Sequence, residues 1–481
     1  MSSISLPDDV FYEMLQKLDD RPTLYNCLLV NRNWCRIAVP SLYRDPFNQP
    51  SDHLYYRLLI QTYLKCMDFE EREHLNHPKN LLPRESSTLF PYVKYLERYS
   101  VRELTAATNN FLIYETEGID DKQKYITTSQ SGKIFLMNKE HRLRFQEALV
   151  HLFLRQSENL VVFDVKSAFF RSDFMDLDFF GEILTKLIKI PSFQLAITNE
   201  IENFCTKKFL GFLEFMTNNC SQFSEFRINL NNPFKYINLS SLLCNLMQQQ
   251  DNLNRIFLTT DMHSNVLSSL KSYNLLTSIG LSFIKFNDKI IESLLKCINL
   301  SKLKLDHCDG LTPDYCKILS NGSFRKLKDL SIGVNRWNHQ STASLIKSVG
   351  GPSIERLTIT NHSQIIVRIV SELAGYLPST TKHLTFNTYQ TISSHELNNI
   401  LNRSNCSFVS LDFRFDINHD LLNIILNYAT EKRCLKYLGL ASYADYAVYI
   451  NYFNPLNQNF LSQFEKCGVK IVKFHGDQYS C

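Results

Sequence analysis

The chain has 481 residues, about three times the usual size of one domain, so several domains or one long repeat array are expected. Hydrophobic residues make up 44% and aromatic residues 12%, with 34 Phe and 23 Tyr, which supplies a sizeable core and excludes a disordered chain. Lys and Arg number 52 against 48 Asp and Glu, a net charge of +4 without long blocks of one sign, so charge demands neither nucleic acid nor an anionic membrane.

Thirteen cysteines are scattered without a Cys-x-x-Cys pair, a pattern that suits buried thiols in a reducing compartment, cytoplasm or nucleus, better than a disulfide framework. No basic start with an apolar run marks a signal peptide, and no stretch of about 18 apolar residues marks a membrane span.

The first elements are packed into residues 1–47. Pro7, Asp8 and Asp9 form a helix start, and Val10, Met14, Leu15 and Leu18 follow at helical spacing. Asp19, Asp20 and Pro22 break that helix and begin a second, whose apolar positions are Leu24, Cys27, Leu28 and Val30. Asn31 to Asn33 reads as a turn, Trp34, Ile37 and Ala38 mark a third helix, and Pro40 is expected to end it. Three helices in so few residues sit near the size at which a domain can stabilise itself, so their apolar surface calls for a cover. That cover is either a partner or the remainder of the chain.

Leu6-Pro7, the Val10, Met14, Leu15 and Leu18 series, Leu24, the "CLLVNRNW" run from Cys27 to Trp34 and Leu42-Tyr43 resemble an F-box. Val30, Arg32 and Trp34 match its Val-x-Arg-x-x-Trp segment one residue more tightly than usual. The resemblance implies docking onto a Skp-type adaptor, and through it onto a cullin and a ubiquitin-conjugating enzyme. The docking positions it implies are Leu6, Pro7, Val10, Met14, Leu15, Leu18, Leu24, Cys27, Leu28, Val30 and Trp34.

Residues 48–144 read as a helical connector. "LYYRLLIQTYLKCMDF" (54–69) is amphipathic, the polar, proline-bearing stretch from Glu70 to Pro91 suits a link, residues 92–112 are helical in part, and 115–133 is a polar loop. His74 and His77 with Cys66 upstream lack a fourth ligand at any standard spacing, so connector histidines and no metal are expected. "SGK" at 131–133 fails as a phosphate loop because the glycine needed five places earlier is Thr127.

From about residue 145 to 481 a repeat takes over. "LSKLKL", "LKDLSI", "IERLTI", "TKHLTF", "FVSLDF" and "LKYLGL" place Leu303, Leu330, Leu357, Leu384, Leu411 and Leu438 each 27 residues after the one before. A second apolar column lies at Leu305, Ile332, Ile359, Phe386, Phe413 and Leu440. Upstream, looser copies centre on residues 163, 193, 226, 256 and 279, and "VKIVKF" at 469–474 is a last strand. This Leu-x-x-Leu-x-Leu pattern resembles leucine-rich repeats, whose period runs from about 20 to 29 residues. Cys308 and Asn335 stand where that family places Asn or Cys; His362, Tyr389, Asp416 and Tyr443 depart from it. The fold class expected is therefore α/β: a three-helix F-box, a helical connector and a curved solenoid of one strand and one helix per repeat, with helices at 287–298, 393–403 and 420–433.

The repeat leucines are core, so recognition falls to the residues between them. The target-facing positions expected are Lys302, Lys304, Asp306, Asp329, Arg356, Thr358, His383, Asn387, Asp412, Arg414 and Tyr437, a mixture of charges, hydroxyls and amides suited to a protein surface and poorly suited to a nucleic-acid backbone. No Gly-x-Ser-x-Gly, His-Glu-x-x-His or phosphate loop accompanies them, so neither catalysis nor a cofactor is expected. The whole chain resembles F-box proteins with leucine-rich repeats, fungal members most closely. That implies a target-selecting subunit of a Skp–cullin–F-box ubiquitin ligase that commits targets to degradation; a scaffold using the same surfaces without ubiquitin transfer stays open.

Overall fold

A computed structural model describes residues 8–18, 21–47, 53–68, 72, 88–117, 139–166, 170, 188–197, 204–230, 237–259, 264–320, 324–333, 344–347, 353–361, 373–388, 391–415, 417–440 and 455–473. His74, His77, the 118–133 part of the polar loop, and Asn335, His362, Tyr389, Asp416 and Tyr443 lie outside them. Two compact units divide the chain, residues 1–223 and 224–481.

The first unit opens with three helices, α1 (Asp8–Gln16), α2 (Arg21–Val30) and α3 (Arg32–Tyr43). Asp9 stands in the first turn of α1, where a carboxylate suits the positive end of the helix dipole. The expected turn at 31–33 shrinks to Asn31, whose side chain caps α3 by accepting the Trp34 amide at 2.9 Å. Pro40 does not end α3. The helix runs through it to Tyr43, with Ile37, Ala38, Val39 and Leu42 buried on either side of the proline, so tertiary packing overrides the local break. α4 (His53–Cys66) matches the amphipathic stretch read from sequence and buries Tyr56, Leu59, Ile60, Tyr63 and Leu64.

Next come a 3-10 turn (Tyr92–Tyr95), strand β1 (Arg98–Ser100), α5 (Val101–Glu117), α6 (Lys139–Gln156), β2 (Val162–Lys166), β3 (Ser192–Ile197) and α7 (Thr206–Asn219). β1, β2 and β3 pair in parallel, so Tyr99, Phe163 and Phe193 stack down one column, the first two rings 5.2 Å apart. β1 falls inside the stretch read as connector; with three residues and one buried side chain it carries no Leu-x-Leu signal.

The second unit holds ten parallel strands paired in chain order: β4 (Glu225–Leu230), β5 (Arg255–Thr259), β6 (Ser278–Ser282), β7 (Lys302–Asp306), β8 (Asp329–Gly333), β9 (Arg356–Asn361), β10 (His383–Thr388), β11 (Ser410–Phe413), β12 (Tyr437–Leu440) and β13 (Lys470–Lys473). Helices return the chain between them: α8 (Ile237–Gln248), α9 (Ser264–Ser268), α10 (Asp288–Leu295), α11 (Pro313–Ser320), α12 (Ser394–Arg403), α13 (His419–Lys432) and α14 (Pro455–Lys466). Each of the helices expected at 287–298, 393–403 and 420–433 is present within a few residues, and α12 is closed by a Ser393–Glu396 capping box.

Leu303, Leu330, Leu357, Leu384, Leu411 and Leu438 are direct cross-strand partners in one unbroken buried column. Parallel strands sit about 4.8 Å apart and helices about 8–10 Å apart, so a stack with strands on one side and helices on the other curves toward the strands. This is the leucine-rich-repeat-like solenoid. Cys308 is buried and donates its thiol to the Leu281 carbonyl one strand back, at 3.3 Å, tying consecutive turns together.

Candidate functional site

Two surfaces are candidate sites, one on each unit. On the first, Leu15, Leu24, Cys27, Ile37, Ala38 and Leu42 form a closed core, with Phe11, Leu18, Leu28, Trp34 and Tyr43 packed half-buried against it. Phe11 and Trp34 clasp α1 to α3 with ring centroids 4.3 Å apart. Of the docking positions read from sequence, Leu15, Leu24 and Cys27 therefore serve as this core, Leu18, Leu28 and Trp34 as its half-buried rim, and Leu6 and Pro7 lie outside the described residues.

Val10, Met14 and Val30 are open to solvent at 44%, 53% and 55%, and so are Tyr12, Tyr25 and Leu29 on the same two helices, the last at 85%. Val10 and Met14 share one face of α1 four residues apart, and Tyr25 and Leu29 share one face of α2 in the same way. Six large apolar side chains left open by so small a helical cluster mark an interaction surface. The sequence groups Val10 and Met14 with Leu15 and Leu18 in one apolar series; the fold turns Leu15 inward and leaves Val10 and Met14 open, a choice that tertiary packing makes and helical spacing alone does not.

Arg21 pins the helical cluster to the start of α4. Its guanidinium donates to the Tyr55 hydroxyl at 2.6 Å, to the Pro46 carbonyl at 3.3 Å and to the Asp45 carbonyl, while the Tyr55 hydroxyl donates to Pro46 at 2.6 Å. Burial pushes the Tyr55 phenol up to about 12 despite the nearby guanidinium, so it remains a donor at any physiological pH.

On the second unit a groove of about 610 Å³ runs over the inner face of the sheet. Lys302, Lys304, Asp329, Arg356, Thr358, His383, Asn387, Asp412 and Tyr437 all line it, nine of the positions read from sequence. Asp306 and Arg414 lie outside it. Asp306 leans over Gly333, where an added Cβ would meet its carboxylate, and Arg414 donates to the Asn387 side chain at 2.8 Å. Arg227, Arg255 and Phe257 join the groove from β4 and β5; alternation carried three strands upstream of β7 finds them.

The charges within the groove pair in clusters. Glu225 bonds Arg227 and lies 3.4 Å from Arg255, and the Arg227 guanidinium rests 4.0 Å above the Phe257 ring. Asp329 sits between Lys302 at 3.8 Å and Arg356 at 3.7 Å; burial nonetheless raises its carboxyl above the ordinary value. Burial, then the Arg356 charge, lowers the His383 imidazole. Asp412 accepts from the Ser410 hydroxyl at 2.9 Å and the Thr385 hydroxyl at 3.4 Å. Among the described residues no cluster of three or more His, Cys, Asp or Glu could hold a metal ion, and no described helix is long and apolar enough to cross a membrane.

The sequence of residues 4–49 matches the F-box-like family. That match coincides with α1 to α3 and their open apolar face. No curated protein sequence matches the chain at a significant level. Among solved structures, the crystal structure of a TLR13–ssRNA13 complex is similar at 14% identity with a TM-score of 0.29, over 62% of this chain; the chain spans about half, 47%, of that one. At that score the likeness adds nothing to what the strands and helices already show.

Proposed function

We propose that this chain is the target-selecting subunit of a Skp–cullin–F-box ubiquitin ligase, of the kind found in fungal F-box proteins with leucine-rich repeats. α1 to α3 dock on a Skp-type adaptor through Val10, Met14, Tyr25, Leu29 and Val30, over a core in which Leu15, Leu24 and Cys27 hold the helices in place. The groove on the second unit takes the target protein, through the residues from Lys302 to Tyr437 that line it. The observation that carries this reading is the F-box-like match at residues 4–49 on a three-helix cluster with an uncovered apolar face.

In this role the chain makes and breaks no bond and needs no cofactor. It raises the effective concentration of a target lysine beside a conjugating enzyme carried by the same assembly, in cytoplasm or nucleus. Co-expression with a Skp-type adaptor and cullin tests it. The intact chain is expected to recover both, and Met14→Asp with Val30→Asp to recover neither while keeping its fold. Recovery of adaptor without cullin favours a scaffold that uses the same surfaces, and failure to recover adaptor overturns both readings.

A further inference from the structure

Of the charged side chains that line the groove, Arg227 and Arg255 share Glu225, and Lys302 and Arg356 share Asp329. Two are left without an ion pair among the described residues, Lys304 on β7 and Asp412 on β11. They are of opposite sign and stand in the same row of the sheet. Register carries Lys304 to Ser331, Ser331 to Thr358, Thr358 to Thr385 and Thr385 to Asp412. The floor between the two charges is thus three small hydroxyl side chains, all lining the groove. The row beside it is taller, with Lys302, Asp329, Arg356 and His383 as its wall.

A trough with a small polar floor and one uncompensated charge at each end fits an extended segment laid across the strands. Asp412 is held by the Ser410 and Thr385 hydroxyls and Lys304 stands half-buried, but neither meets a charge of opposite sign in an ion pair among the described residues, so an incoming opposite charge gains free energy at each. Four strand steps at about 4.8 Å separate the two ends by about 19 Å, and an extended chain covers that span in about six residues. Hydroxyls on the floor suit backbone amides and small polar side chains, with which they can exchange hydrogen bonds.

We infer that the groove selects an extended peptide segment carrying one acidic and one basic residue about six positions apart, the acid against Lys304 and the base against Asp412, with small residues between. The inference rests on reading this groove as the target-binding face. It names the pattern a target must carry, and it excludes a uniformly acidic segment, which Asp412 would repel.

The test is fluorescence anisotropy with the full chain and labelled nonapeptides of Ser, Thr and Ala. These bear Glu and Arg six positions apart in either order, Glu and Arg three apart, two Glu six apart, or two Arg six apart. The wild-type chain is expected to bind the six-apart Glu/Arg peptides at least about fivefold more tightly than the others. Lys304→Glu is expected to shift the preference to the two-Arg peptide, Asp412→Lys to the two-Glu peptide, and the double variant to return it to Glu/Arg. Equal binding at spacings three and six, preferences that survive both single variants, or no binding of any peptide would each overturn it. Asp412→Lys alone carries the test should Lys304→Glu fold poorly, and Lys304→Glu alone should Asp412→Lys fold poorly. Adaptor co-purification read beside it separates the two ideas: charge-matched binding without adaptor sinks the ligase reading alone, and adaptor without charge-matched binding sinks this one alone.

Discussion

The carbonyl oxygen of Arg44 accepts the Glu97 amide at 2.8 Å, joining the end of α3 to the edge of β1. The next amide, Arg98, reaches the same oxygen at 3.1 Å. The same two-amide rung recurs through the solenoid, where Ser301 receives Lys328 and Asp329, Glu355 receives Lys382 and His383, and Val409 receives Lys436 and Tyr437. The helical cluster therefore meets β1 by the same geometry with which β2 and β5 to β12 join their predecessors. Within the first unit, these two backbone hydrogen bonds fasten the end of α3 to the edge of β1.

Arg21→Ala should weaken that joint. It removes the guanidinium that donates to the Asp45 and Pro46 carbonyls beside Arg44; Pro46 keeps the Tyr55 hydroxyl, while the half-buried Asp45 carbonyl loses this donor, at a cost of about 1–3 kcal/mol. Hydrogen exchange at the Glu97 and Arg98 amides should speed up, while exchange in β7 to β11 stays as it is. Unchanged exchange at Glu97 would show that the rung holds without Arg21.

Gly280 is a floor for the Phe257 ring, since a Cβ there would lie 2.3 Å from the ring edge. Gly280→Leu should displace Phe257 from under the Arg227 guanidinium and cost about 1–3 kcal/mol of stability, read by urea denaturation. Gly468, which has open space around it and a φ of +76°, should respond to Ala through backbone strain instead.

His383 should make stability pH-dependent. Its imidazole is held below the ordinary value of 6.5, so the folded chain binds fewer protons there than the unfolded chain. Its contribution is complete above pH of about 6.5 and is lost as pH falls through the lowered folded value. His383→Gln should lose less stability than the wild type between about pH 8 and pH 5. Asp329, raised above its ordinary 3.8, acts the other way: its contribution is present in acid and shrinks as pH rises past that value. An identical pH profile in His383→Gln would show that His383 does not couple its titration to folding.

Burial pushes the thiols of Cys297, Cys308 and Cys316 up to about 12, so none is a thiolate at neutral pH. Native-state labelling with a thiol reagent should leave all three unmodified, and labelling in denaturant should reach them at once. Fast native modification of Cys308 would mean that the strand edge it ties to Leu281 opens readily.

The solenoid was legible because a strand buries every second side chain and a repeat buries the same ones each time, so Leu303 to Leu438 advertise the register directly. The open apolar face of α1 and α2 was not: Leu15 and Met14 are neighbours in sequence and equally apolar, and only packing decides that one is core and the other surface. Leu15→Asp therefore breaks the cluster, whereas Met14→Asp probes its surface. The pairing of Arg227 with Phe257 and Glu225 was hidden for another reason: it joins side chains on two strands whose own spacing departs from 27. The path of α3 through Pro40 depended on what lay below Leu42, which no local rule contains.

Strand spacing varies upstream of β7, yet Phe226, Ile256, Ile279 and Leu303 remain direct partners across β4 to β7. All the variation is absorbed on the helical side. The inner face thus behaves as a reading frame that insertions and deletions cannot shift, since residues added between strands lengthen the outer wall and leave every inner position in its column. Such a chain can gain or lose several residues at a time on its back while the face that meets a partner changes one side chain at a time.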